Sequence, residues 1–71
     1  MKAFLKIKRS EWVPKSNNKM IHEVEDGTLY LGPPISYMAG ETIIAEISDG
    51  LMPDGYYHIV QIVGRFSPKK K

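Results

Sequence analysis

Turn-forming residues cut this chain into short pieces, and none of the pieces carries the spacing of a helix. Lys15-Ser16-Asn17-Asn18-Lys19, Asp26-Gly27, Gly32-Pro33-Pro34 and Asp49-Gly50-Leu51-Met52-Pro53-Asp54-Gly55 are rich in Gly, Pro, Asn and Asp. These residues supply positive φ, lock φ, or bond their own backbone, and so end regular structure. What lies between them alternates or is β-branched, which is how strands read.

The spacing predicts five strands. Lys2 to Arg9 places Ala3, Leu5 and Ile7 on one face and Lys2, Phe4, Lys6 and Lys8 on the other. Trp12 and Val13 prolong it after a bend, and Pro14 ends it by removing a ladder donor. Met20 to Glu25 is the second strand, with Met20, His22 and Val24 on one face. Asp26-Gly27 then turns it tightly onto a third, Thr28 to Leu31, because a two-residue hairpin turn needs the positive φ that glycine adopts freely. Residues 35–40 read as a loop. The β-branched run 42–48 directs Ile43, Ala45 and Ile47 to one side. Tyr56 to Phe66 is the longest strand, with Tyr57, Ile59, Gln61 and Val63 on one face and Tyr56, His58, Val60 and Ile62 on the other. Apolar residues on both faces point to a covered position, and Gly64 to a bend or bulge.

The expected fold is therefore all-β: a small five-stranded antiparallel sheet, curved or closed into a barrel. Closure removes edges that so small a sheet cannot otherwise hide. The lack of a helix favours an SH3-like form over the OB-like alternative. Residues 1–66 form the single expected domain and 67–71 a flexible basic tail.

Composition excludes several classes. With 71 residues, 42% hydrophobic and 25% charged, the chain is too apolar to be disordered and too short for more than one core. It has no cysteine, so disulfide scaffolds, thiol nucleophiles and cysteine zinc sites are out. No apolar run approaches the ~20 residues that cross a bilayer, and Lys6 and Lys8 interrupt the apolar start. A cytoplasmic chain with no membrane contact is expected.

Charge is segregated. Residues 1–20 hold Lys2, Lys6, Lys8, Arg9, Lys15 and Lys19 against Glu11 alone, a balance of +5. Residues 21–64 carry −7 and contain no lysine or arginine, and residues 65–71 carry +4. Such a molecule presents one basic and one acidic surface if its two ends meet. On the outward face of the first strand, Phe4 stands between lysines, an arrangement that stacks a base while cations neutralise phosphates. Phe4, Lys6, Lys8, Arg9, Trp12, Lys15, Arg65 and Lys69 are the candidate contacts for single-stranded nucleic acid. The bland alternative is that the lysines only solubilise an edge strand.

A competing expectation is a protein-interaction module, or a small subunit that forms a homo-oligomer or binds a partner protein. Tyr37, Met38, Leu51, Met52, Tyr56, Val60 and Ile62 exceed what one small core can cover, and are its candidate interface. Catalysis is not expected. His58 with Asp49 or Asp54 makes a histidine–carboxylate pair, but no serine stands in a nucleophile elbow. His22-Glu23 lacks the second histidine of a zinc-protease motif, and the two aspartates of loop 49–55 are too sparse for a calcium loop. No cofactor and no metal are expected.

Overall fold

A computed structural model describes residues 1–16 and 18–67. It is all-β, with six strands: β1 (Lys2–Leu5), β2 (Ile7–Trp12), β3 (Met20–Val24), β4 (Leu29–Gly32), β5 (Thr42–Ile47) and β6 (Tyr57–Phe66). They form one mixed sheet in the order β1-β5-β6-β4-β3-β2. Among the described residues no helix is long and apolar enough to cross a membrane.

Three expectations need correction. The first predicted strand is two. Leu5 pairs with Ile43 of β5, whereas Ile7 pairs with Val24 of β3, so the chain changes partner at Lys6. The Lys6 carbonyl accepts a hydrogen bond from the Glu25 amide at 3.1 Å. Alternation runs on unbroken because Leu5 and Ile7 enter the same core, and period two carries no information about which strand lies alongside. Nor is the sheet wholly antiparallel: β4 and β6 run parallel through Tyr30–Tyr57 and Leu31–His58. Residues 33–56, with β5 among them, form the long connection that parallel neighbours require. Finally, no ladder closes a barrel. The end strands β1 and β2 do not pair with each other; they are consecutive in the chain, so the sheet curls back on itself through Lys6.

β6 forms the second corner. Its start lies beside β4 and the rest beside β5. Two register shifts redirect its side chains. Ile44 faces Gly64 but Ala45 faces Ile62, leaving Val63 unpaired; Glu46 faces Gln61 but Ile47 faces Ile59, leaving Val60 unpaired. Each bulge reverses the alternation. The predicted faces are therefore wrong here: Ile59 and Ile62 both turn to the core, while Val60 and Val63 are exposed.

Leu5, Ile7, Val24, Ile43, Ala45, Ile47 and Ile59 make the core. Ile35 and Tyr37 pack against it from the loop after β4, so that loop covers one open flank. The buried Glu41 carboxylate anchors it, accepting from the Met38 amide at 3.0 Å and the Ser67 hydroxyl at 3.4 Å, with Arg65 Nη1 at 3.4 Å. Arg65 Nη1 also donates to the Ser36 carbonyl at 2.7 Å. At Gly32 the backbones of β4 and β6 approach so closely that an added Cβ would stand 2.8 Å from Ile59 Cβ. The expected hairpin forms at Asp26-Gly27, but not through a two-residue primed turn: the Gly27 amide donates to the Val24 carbonyl at 2.9 Å, Gly27 alone of the pair has positive φ, 95°, and Asp26 Oδ1 accepts from the Thr28 amide at 2.9 Å. After β2, Lys15 has a positive φ of 67°.

Candidate nucleic-acid interface

On the outer surface of β1, β5 and β6 the register sets residues in rows. Lys2, Glu46 and Gln61 form one row and Phe4, Ile44 and Gly64 the next; Thr42 and Phe66 follow. Phe4 and Phe66 sit on strands separated by β5, yet their rings lie within 14° of parallel with centroids 6.4 Å apart. That is an offset-parallel pair. Gly64 leaves its place in the middle row without a side chain, and Ile44 Cδ1 would lie 3.7 Å from a Cβ added there. Both stay open to solvent, Phe4 at 63% and Phe66 at 59% exposure.

The first strand and the last residue of β6 thus share one surface. Lys2 and Lys6 flank Phe4 two residues to either side, both exposed. Lys8, also exposed, is the unpaired residue of a bulge in β2, since Ile7 faces Val24 and Arg9 faces Glu23. Among the described residues none of these three lysines makes a salt bridge. Glu46 is the one carboxylate of these rows; it stands opposite Lys2 and binds the N-terminal ammonium at 3.2 Å.

Other residues of the expected basic track are elsewhere. The bulge at Lys8 turns Arg9 and Glu11 to the outer surface of β2 and β3, where Arg9 Nε donates to Glu23 Oε1 at 2.9 Å. Trp12, opposite Met20 and 56% exposed, lies beyond the end of the core. Lys15 is in the β2–β3 turn, and Arg65 holds the loop after β4. Lys69 falls outside the described residues. Of the expected interface, Tyr37 and Ile62 pack on the core and Tyr56 is half-buried, whereas Met38, Leu51, Met52 and Val60 are exposed on three separate segments.

Both histidines are engaged. His22 has no exposure; its Nε2–H donates to the Pro33 carbonyl at 2.9 Å, which leaves Nδ1 to accept from the Ser10 hydroxyl at 2.6 Å. Burial pushes its pKa down, and the Pro33 hydrogen bond opposes this more weakly. His58 Nε2 lies 2.7 Å from Asp54 Oδ2, a contact that is the main cause of the lowered Asp54 pKa. The nearby Ser48 hydroxyl donates to the Gly50 carbonyl at 2.8 Å and accepts from the His58 backbone amide, so it is not bonded to the imidazole. Among the described residues no three His, Cys, Asp or Glu side chains gather as a metal site would need.

Phe66 and Ile44 are the platform residues that the sequence reading missed. Apolar character was visible, but only the register across β5 puts Phe66 beside Phe4. Comparison with protein-family models, with curated proteins and with solved structures finds no match to this chain.

Proposed function

We propose that this protein is a small non-catalytic binding module whose β1–β5–β6 surface takes single-stranded nucleic acid. The observation that carries the reading is the exposed Phe4–Phe66 pair, with Lys2 in the neighbouring row of the same surface. Aromatic rings held open on a sheet offer faces on which bases stack, each contributing ~1–3 kcal/mol by alanine substitution. Lys2, Lys6 and Lys8 supply the positive charge that follows a phosphate chain. Single strands fit better than duplex, because among the described residues no helix presents itself to a major groove. The architecture that suits this role is a small SH3-like barrel, with the OB-like form as alternative; two corner segments, β1–β2 and β6, are features of the kind such barrels use. The cytoplasm is the compartment this reading implies.

The test is binding of a fluorescent single-stranded oligonucleotide across a salt series. Affinity should fall with salt at a log–log slope of about −0.7 per phosphate contacted. Lys6→Glu with Lys8→Glu should abolish binding at moderate salt. No binding at low salt refutes the proposal.

A second reading rests on Val60, which the β6 bulge leaves 70% exposed, with Val63 also open. Apolar side chains turned outward suit a protein partner or a homo-oligomer. Sedimentation equilibrium separates the two: a monomer unchanged by Val60→Lys counts against a homo-oligomer.

A further inference from the structure

The outer surface of β2, β3 and β4 has a different chemistry. A shallow groove of about 160 Å³ is lined there by Arg9, Glu11, Ile21, Glu23, Leu29 and Tyr56. Its apolar floor comes from Ile21 and Leu29, which the ladders place beside the charged residues: Glu11 faces Ile21, and Glu23 lies between Arg9 and Leu29. Arg9 and Glu23 are tied to each other at 2.9 Å and form one wall. Among the described residues, neither the Glu11 carboxylate nor the Tyr56 hydroxyl has a hydrogen-bond partner; the hydrogen bonds at Tyr56 are made by its backbone, the amide donating to Asp54 and the carbonyl accepting from the Met52 amide.

We infer that this groove docks an arginine side chain carried on an extended segment of a partner protein. Three observations select that occupant. The lining has two carboxylates against one guanidinium, so a cation is attracted and a phosphate repelled. The floor takes an alkyl stem, while Tyr56 offers a ring and Glu11 a two-oxygen acceptor for a planar guanidinium, which lysine matches less well. Third, the strand bordering the groove is the last in the sheet: β2 pairs only with β3. Its free edge can take the backbone of an extended peptide, whose alternate side chains then fall on the groove side. The bulged Lys8 on that edge discourages pairing between copies of this chain.

The site is separate from the aromatic platform, and the two fail independently. The test is an NMR titration of the full chain with a capped, β-branched pentapeptide carrying one central arginine. A matching peptide carrying neutral citrulline, the wild type and Glu11→Gln complete the set. Saturable shifts in the Arg9–Trp12 amides and the Ile21 and Leu29 methyl groups are expected. Affinity should fall at least about fivefold both with citrulline and in Glu11→Gln, whose oligonucleotide binding stays unchanged. No saturable shift at millimolar peptide, or equal binding of the arginine and citrulline peptides, overturns the inference. So does an oligonucleotide that moves the Ile21 and Leu29 methyl resonances.

Discussion

Ser10 and His22 face each other across β2 and β3, the hydroxyl 2.6 Å from Nδ1 of a fully buried ring whose other nitrogen donates to Pro33. The neutral ring satisfies both partners, and the charged ring has no water to solvate it. The folded pKa of His22 is therefore lowered. In the unfolded chain the ring titrates normally, near 6.5, so below that pH the unfolded state binds more protons and folding weakens. Stability from this group is fully present above pH 6.5 and is lost as pH falls from there toward the folded pKa. Urea melts at pH 7.5 and 5.5 should show the midpoint dropping in the wild type. In His22→Asn, less stable at both values, the drop should shrink; an equal drop there assigns the pH dependence to other groups.

Gly32 and Gly64 should respond differently to a methyl group. At Gly32 the new Cβ would stand 2.8 Å from Ile59 Cβ, an atom fixed close to its backbone, so β4 and β6 must part. Gly32→Ala should cost about 1–3 kcal/mol by overpacking. At Gly64 the nearest atom is Ile44 Cδ1 at 3.7 Å, an ordinary contact. Gly64→Ala should leave stability within about 0.5 kcal/mol, the usual range for surface changes. Thermal melts of the two variants side by side check the contrast.

Glu41→Ala should release the loop after β4. The buried carboxylate links the Met38 amide, Arg65 and Ser67, and its loss removes all three contacts. A cost of about 1–3 kcal/mol is expected, together with faster hydrogen exchange at the Met38 amide. Unchanged exchange there would show that the packing of Ile35 and Tyr37 alone holds the loop.

The local parts of this fold were readable from the residues, and the non-local parts were not. Alternation at Lys2–Ile7 and at Ile43–Ile47 found the inward faces, because burial of every second residue leaves its mark on the chain itself. Asp26-Gly27 announced its hairpin for the same reason. Partner choice leaves no such mark: Leu5 and Ile7 look alike, although one joins β5 and the other β3. The unpaired Lys8, Val60 and Val63 each shift the alternation by one; Gly64 marks the bulge at Val63, whereas those at Lys8 and Val60 have no glycine and no local signature. Unbroken alternation therefore puts Arg9 on the inward face with Leu5 and Ile7, and Val60 beside Ile62, and the bulges overturn both. Phe4 itself was identified, but its partner Phe66 depends on a register crossing two ladders.

The central claim is that the paired rings contribute to binding directly. Fluorescence anisotropy of a short oligothymidylate should be compared for the wild type, Phe4→Ala and Phe66→Ala, at low salt and again at high salt. Both rings are exposed, so each variant should fold with little loss of stability. Each substitution should weaken binding about tenfold, and the deficit should persist at high salt because stacking is not screened. Wild-type affinity retained by both variants would contradict it.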